Sequence, residues 1–170
     1  MNEPAPMRKT PAGKSPARRR ADPGDPSFEL AHSPFYWISR VSGRYVLDMG
    51  AALRRVRMDV PRWRVLMILH EHDPASVSAI AELAVIKLST MTRIIQRMNA
   101  EGLVACGPKA SDARVTEVRL TAAGTAAMER VRNQASRIFR HAFHDIPDKE
   151  MVVFIDVLQR LFENLESPPE

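Results

Sequence analysis

A mainly helical α+β fold is predicted by three features of this 170-residue chain. Apolar residues recur at helical spacing in six segments after Ser33. Between the fourth and fifth segments the spacing changes to the alternation of a two-stranded hairpin. A composition with 45% hydrophobic and 26% charged residues is typical of a globular protein that can bury a core. We therefore expect one folded domain over residues 33–167.

Residues 1–32 differ in composition from the rest. Prolines and basic residues recur there with few apolar residues among them, so we expect a disordered, basic, proline-rich tail. Such a tail can contact DNA phosphates. The alternative is a solubilising leader without a role of its own.

The first two helices have clear start signals. Serine at the N-cap and proline at the first helical position begin a long helix at Ser33-Pro34, which we expect to span residues 34–57. Asp59-Val60-Pro61 opens the second helix, and Asp73-Pro74 ends it.

Two shorter helices follow. Ser76 is the expected N-cap of the third helix. A tight turn at residues 85–88 leads to a fourth helix, which ends at Gly102 because glycine is the usual residue after a helix C-terminus.

The hairpin comes next. Its strands are expected at Leu103-Val104 and at residues 116–120, with an interruption at Gly107-Pro108 and a tip spanning residues 109–114. The order helix, tight turn, helix, glycine and hairpin is that of a helix-turn-helix motif followed by a wing.

The fourth helix has two contrasting faces. Its apolar residues would pack inward, whereas the outward residues from Ser89 to Arg97 are polar or basic and include no acidic residue. Such a face can read base edges in the major groove, and the net charge of +5 favours an anionic partner. The alternative is an ordinary amphipathic surface helix. The residues predicted to contact double-stranded DNA are Ser76, Ser89, Thr90, Thr92, Arg93, Gln96, Arg97, Lys109, Asp112 and Arg114.

The hairpin tip supplies the last of these residues. An arginine on a wing can enter the minor groove, where negative potential is concentrated. Asp112 lies two residues from Arg114 and could hold that arginine extended. The alternative is an exposed ion pair of little energetic value.

Five sequence motifs together resemble the multiple antibiotic resistance regulator (MarR) family, from about Pro34 to Leu165. They are Ser89-Thr-Met-Thr-Arg93, Glu101-Gly-Leu-Val104, Asp112-Ala-Arg114, Val118-Arg-Leu-Thr121 and Gly124. The resemblance implies a winged-helix homodimer on a pseudo-palindromic operator, with dimerisation helices at 34–57 and 122–166 and a DNA-binding lobe at 61–121. The sequence departs from the family at Ala105-Cys106, where an arginine is common, and at Val85, where a turn glycine is common.

A dimer is also predicted by the last helix itself. Thr121 caps the fifth helix, and Pro147 begins a sixth with apolar residues on more than one side. A helix with so wide an apolar surface should be largely buried, and two-fold self-association would bury it. The alternative is that this helix packs on its own chain.

The resemblance further implies a small-molecule effector, commonly an aromatic acid, in a cleft between the dimerisation helices and the DNA-binding lobe. Aromatic side chains and an arginine suit a planar carboxylate. The alternatives are that Trp63 is a core residue and that Arg64 pairs with an acidic neighbour. The residues predicted to line this cleft are Ser33, Tyr36, Trp37, Arg40, Tyr45, Trp63 and Arg64.

Other chemistry has little support in the sequence. The histidines do not follow a zinc-binding pattern, and a lone cysteine, Cys106, is usually inert although it could sense oxidation. We see no catalytic motif, cofactor motif, signal peptide or bilayer-spanning run. We therefore expect a cytoplasmic, ligand-responsive repressor without cofactor or metal. The alternative is a winged-helix module for protein–protein assembly, and an enzyme is disfavoured.

Overall fold

The computed structural model describes residues 15–166. The sequence predicts a single domain over residues 33–167, whereas the contacts divide the chain into two compact units at Leu47, inside a helix. The first unit contains α1 (Pro16–Ala21), a 3-10 turn (Leu30–His32) and the first part of α2 (Pro34–Arg54). The second contains the end of α2 and the remaining elements, which are α3 (Val60–Glu71), β1 (Ala75–Ser76), α4 (Val77–Leu83), α5 (Leu88–Ala100), β2 (Val104–Lys109), β3 (Asp112–Leu120), α6 (Ala122–Ala142) and α7 (Asp148–Glu166).

The prediction of a disordered tail is wrong for its second half. Helix α1 begins where the hydroxyl of Ser15 accepts a hydrogen bond from the backbone N–H of Arg18, with proline at the first helical position. Local side-chain hydrogen bonds then order the turns that follow, as when Asp25 accepts from the backbone and hydroxyl of Ser27. Residues 1–14 of the predicted tail lie outside the described residues.

The helix start signals are confirmed. Asp59 caps α3 by accepting from the backbone N–H of Arg62 at 2.9 Å. The Ser76 and Thr121 hydroxyls cap α4 and α6 in the same way. Helix α2 ends at Arg54 rather than near residue 57, because the chain turns at residues 55–57.

The wing belongs to a three-stranded antiparallel sheet in the order β1-β3-β2. The predicted interruption at Gly107-Pro108 is wrong, because both residues lie within β2. A proline is tolerated there because β2 is an edge strand, and the register shifts next to it, between Pro108 and Lys109. The tip is therefore shorter than predicted, with only residues 110 and 111 between the strands.

The core of the second unit lies between α3, α4, α5, α6 and the sheet. It includes the fully buried side chains Leu66, Ile80, Met91, Val118 and Val131. Helix α6 approaches the start of β2 so closely that a Cβ atom at Gly124 would overlap the carbonyl oxygen of Leu103. This contact fixes the wing against α6.

Candidate DNA interface and ligand grooves

The recognition helix is α5. Met91, Ile95 and Met98 are buried on its inner face, as predicted. The opposite face begins at the helix N-terminus, where Ser89, Thr90, Arg93 and Gln96 are exposed. Within residues 15–166 no side-chain hydrogen bond or ion pair engages these four residues, so their donors are available to a partner. Thr92 is half-buried, and its hydroxyl donates to the carbonyl oxygen of Leu88 at 2.9 Å.

Arg97 lies in a different environment from these four residues. Its Nη2 donates to Oδ2 of Asp59 at 2.6 Å, and its Nε lies 3.8 Å from Oε1 of Glu101. Arg62 holds the same two carboxylates, with its Nε 3.0 Å from Oδ2 of Asp59 and its Nη1 on Glu101. These four side chains form an ion network that joins the end of α5 to the start of α3.

The hydroxyl of Ser76 is also engaged within the fold. It accepts from the backbone N–H of Ala79 at 3.1 Å and shares a 2.9 Å hydrogen bond with the hydroxyl of Ser78. Its first role is therefore to begin α4, and a DNA contact by Ser76 stays a prediction.

Asp112 braces the arginine at the wing tip, as the sequence suggests. Oδ1 of Asp112 accepts from the backbone N–H and from Nε of Arg114, each at 3.1 Å. These hydrogen bonds lower the pKa of Asp112 below its ordinary value, so the carboxylate is ionised near neutral pH. The side chain of Arg114 is 91% exposed, and Lys109 is exposed beside it. The wing thus presents an extended, braced guanidinium to a partner.

Cys106 lies in β2 opposite Val118. Desolvation raises the pKa of its thiol above the ordinary value. The reactive form of cysteine is the thiolate, and a raised pKa leaves less of it at neutral pH.

In the first unit, three predicted ligand residues form an aromatic–guanidinium cluster. The rings of Tyr36 and Trp37 meet edge to face at 5.4 Å between centroids. The guanidinium of Arg40 lies 5.5 and 5.9 Å from these two centroids and donates to the hydroxyl of Tyr36 at 2.8 Å. Ser33 is buried and accepts from the backbone N–H of Tyr36, whereas Tyr45 is exposed.

In the second unit, Trp63 and Arg64 line different grooves. Trp63 is 5% exposed and borders a groove of about 230 Å³ between α3 and α6. Arg64 borders a groove of about 390 Å³ next to the turn after α4. Met67 lines both grooves, so they adjoin. Consecutive side chains on a helix point about 100° apart, which explains why Trp63 and Arg64 line different grooves.

The indole N–H of Trp63 is buried and has no hydrogen-bond partner among the described residues. Three polar side chains of its groove, His70, Glu71 and Arg132, were not predicted from the sequence to line a ligand site. Arg132 lies four positions after Met128 on one face of α6, and Met128 lines the same groove. A helical-face reading of α6 could therefore have identified it.

Within residues 15–166, no group of three or more histidine, cysteine, aspartate or glutamate side chains is placed to hold a metal ion. No helix formed by those residues is both long and apolar enough to span a membrane.

Comparisons with known proteins agree with this architecture. The sequence model of the MarR family matches residues 58–116. The HTH-type transcriptional repressor IacR of Pseudomonas putida is 39% identical over 162 residues, covering 94% of this chain and 97% of that protein. Two solved structures share the fold at 21% identity. CouR from Rhodococcus jostii RHA1, bound to p-coumaroyl-CoA, has a TM-score of 0.72 and covers 78% of this chain and 94% of its own. BpsR from Bordetella bronchiseptica, whose DNA binding is regulated by 6-hydroxynicotinic acid, has a TM-score of 0.71. The match covers 79% of this chain and 96% of the BpsR chain.

Proposed function

Since this chain belongs to the MarR family, we propose that it is a sequence-specific, homodimeric repressor that a small aromatic carboxylate releases from its operator. Sequence similarity supports the general part of the proposal: the chain is a MarR-family transcriptional repressor and not an enzyme. The DNA-contacting residues, the effector and its site are proposals.

The observation that carries the DNA contact is the unengaged face at the start of α5. Ser89, Thr90, Arg93 and Gln96 offer donors and acceptors suited to base edges and phosphates. The braced Arg114 supports a second contact in the adjacent minor groove. A protein–protein assembly surface would instead present aromatic and apolar anchors at its centre, whereas this face is polar or basic apart from the exposed Leu88 at the first position of α5.

The exposed apolar residues of α7 support the dimer. No residue of α7 is buried in the single chain, and Val152, Val153, Phe154 and Ile155 are each 47 to 67% exposed. Large apolar side chains exposed on several sides of one helix indicate an interaction site. Two-fold pairing would also place two recognition helices about one DNA turn apart.

The effector proposal is supported by the groove beside Trp63. Its volume of about 230 Å³ is somewhat below the roughly 300–1,000 Å³ of drug-sized ligand sites, which favours a single-ring compound. The indole N–H, which has no partner within residues 15–166, can donate to a carboxylate. Arg132 offers a cation on the same groove, where a ligand would compete with its 2.9 Å ion pair to Glu129. Arg64, on the adjoining groove, is the second candidate cation. Two structural neighbours take aromatic ligands: CouR is bound to p-coumaroyl-CoA, and the DNA binding of BpsR is regulated by 6-hydroxynicotinic acid.

The proposal is tested by isothermal titration of the full chain with benzoate-, phenylacetate- and indole-type acids, followed by operator binding in their presence. At least one acid should bind and weaken operator affinity. Trp63→Phe, which removes the N–H but keeps an aromatic ring, should reduce acid affinity about tenfold, the loss of one charge-assisted hydrogen bond. Arg132→Ala and Arg64→Ala then identify the cation, and both should leave operator binding nearly intact. If no acid binds, the effector proposal is wrong. If Arg64→Ala abolishes operator binding, Arg64 belongs to the fold or to the DNA interface rather than to the effector site.

A further inference from the structure

A further cavity of the second unit, separate from the grooves beside Trp63 and Arg64, is rich in arginine. It measures about 690 Å³ and lies where the turn after α2, the start of α3 and the first turns of α6 meet. Its walls carry Arg55, Arg57, Arg62 and Arg130, with Glu101 as the acidic lining residue. We call it the arginine cavity. The proposed DNA and effector contacts use none of its arginines.

Most of this positive charge is not neutralised inside the fold. Arg62 is paired with Asp59 and Glu101. For the side chains of Arg55, Arg57 and Arg130, residues 15–166 supply no ion pair or hydrogen bond. Like charges on one concave wall repel each other and concentrate positive potential. An anion with several charges would relieve this repulsion.

The cavity wall also contains a backbone residue in a costly conformation. Arg57 has a φ of +54°, in the left-handed region that costs an L-residue roughly 1–2 kcal/mol. Nη2 of Arg62 donates to the carbonyl oxygen of Arg57 at 3.0 Å and so stabilises this turn. Such residues persist where the surrounding structure requires them, and they concentrate at ligand sites. Arg57 lines the cavity together with Arg55 and Met58.

The cavity is connected to the recognition helix. Glu101 is the C-cap of α5, and its carboxylate is held by Arg62. An anion in the cavity would compete with Glu101 for the guanidinium of Arg62. Ligand binding would therefore change the contact that positions the end of α5.

We propose that the arginine cavity binds a small phosphorylated metabolite through its phosphate or pyrophosphate oxygens, as a regulatory ligand separate from the aromatic acid. Guanidinium groups match phosphate oxygens in pairs, and three unpaired arginines suit an anion with more than one charge. The volume of the cavity falls within the usual range for a small-molecule site.

Contact with the DNA backbone is the competing use of these arginines. The cavity lies at the C-terminal end of α5, whereas the unengaged polar face begins at the N-terminal end. A helix of 13 residues is about 20 Å long. Ser89 and Thr90 are thus separated from Glu101 of the cavity by most of the length of α5, and Gln96 by more than one helical turn. The cavity arginines also line a concavity rather than a protrusion.

The test is isothermal titration of the full-length protein with inorganic pyrophosphate, at constant ionic strength and without DNA. Wild type should bind it, and Arg130→Ala and Arg55→Ala should each lower the affinity about tenfold. Arg137→Ala removes the same charge from the same helix but outside the cavity, and it should bind like wild type. Glu101→Gln removes the competing carboxylate and should tighten binding several-fold, a result that structural damage would not produce.

Two results would overturn the proposal. One is absence of pyrophosphate binding to wild type. The other is an equal loss of pyrophosphate affinity in Arg137→Ala and Arg130→Ala, which would mean that the anion is attracted by the overall positive charge and not by the cavity. If pyrophosphate does not bind while Arg55→Ala and Arg130→Ala weaken operator binding and reduce its salt dependence, the cavity is a DNA contact instead. Because the titration contains no DNA, its outcome is independent of the proposed repressor function. The effect of pyrophosphate on operator affinity, which rests on that function, is measured separately.

Discussion

Oδ2 of Asp59 accepts a hydrogen bond from Nη2 of Arg97 at 2.6 Å, although the two residues are 38 positions apart. The same aspartate caps α3 through its other oxygen, which accepts from the backbone N–H of Arg62. One carboxylate therefore begins one helix and holds the end of the recognition helix. The contact links α5 to a residue that lies outside the helix-turn-helix motif.

The first prediction follows from this double role. Asp59→Ala should lower the free energy of unfolding by about 0.5–2 kcal/mol, mainly through loss of the cap, since partly exposed ion pairs contribute little. Asp59→Asn keeps a capping oxygen and should cost clearly less. Urea denaturation followed by circular dichroism measures both. Equal losses in the two variants would mean that charge, rather than capping, is the main contribution.

The two arginines of the recognition helix should behave differently on DNA. Arg93→Ala should cost about 1–3 kcal/mol of operator binding and relax specificity at one base pair. Arg97→Ala should lower stability and affinity while leaving base preference unchanged, because Arg97 is held by Asp59. Fluorescence anisotropy with a selected operator and its single-base variants distinguishes the two. If Arg97→Ala relaxed specificity and Arg93→Ala did not, the assignments would be reversed.

The contribution of the wing to operator binding should depend little on pH near neutrality. Arg114→Ala should weaken operator binding nearly uniformly across sequences and reduce its salt dependence. The lowered pKa of Asp112 means that its stabilising contact is present above the ordinary carboxyl pKa and is lost only as the pH falls through the lowered value. The difference in operator affinity between wild type and Asp112→Ala should therefore be constant from about pH 6 to pH 8. Binding titrations at both ends of that range would expose any change.

Val85 offers a direct gain in stability. It lies in the turn between α4 and α5 with a φ of +52°, and its side chain is 76% exposed. The left-handed conformation costs an L-residue about 1–2 kcal/mol, whereas glycine adopts it freely at some cost in unfolded-state entropy. Val85→Gly should therefore raise the free energy of unfolding by roughly 1 kcal/mol. Val152→Gly, at an exposed valine within α7, is the control and should lower it. A loss in Val85→Gly would show that this turn does not need a left-handed residue.

The dimer should depend on α7. The pair Val153→Asp and Val157→Asp places two charges on one stripe of that helix, where both valines are about half exposed or more. Light scattering at micromolar concentration should then return a mass near the 19.1 kDa of one chain, with operator binding lost as well. Gln159→Asp, at an exposed polar position of the same helix, should remain dimeric. A wild-type protein that is monomeric would contradict the dimer directly.

Local signals in the sequence predicted most element boundaries. Ser76, Thr121 and Gly102 act through their own hydroxyls or backbone, so their effect is visible without knowledge of the rest of the chain. Strand β1 was missed because two residues are too short to show an alternation. Proline within β2 was mistaken for an interruption, because edge position is a property of the whole sheet.

The site was harder to predict for the same reason. The recognition face could be read from one helix, since periodicity separates its inner and outer residues. The partner of Arg97 lies 38 positions away, and the cavity arginines come from three separate elements. Trp63 and Arg64 are adjacent in sequence yet border different grooves. Contacts across the fold therefore decide which donors remain available to a partner.

The close approach of Gly124 to Leu103 has a mechanical consequence. With no side chain between them, the first turn of α6 and the base of the wing hairpin meet through backbone atoms, and the hydroxyl of Thr121 donates to the carbonyl oxygen of Gly102 at 2.7 Å across the same junction. Contacts between backbone atoms deform less than contacts between flexible side chains. Helix α6 has 21 residues and is about 30 Å long. We therefore expect a tilt of the distal end of α6 to rotate the hairpin about this junction, so that the hairpin angle and the helix angle change together.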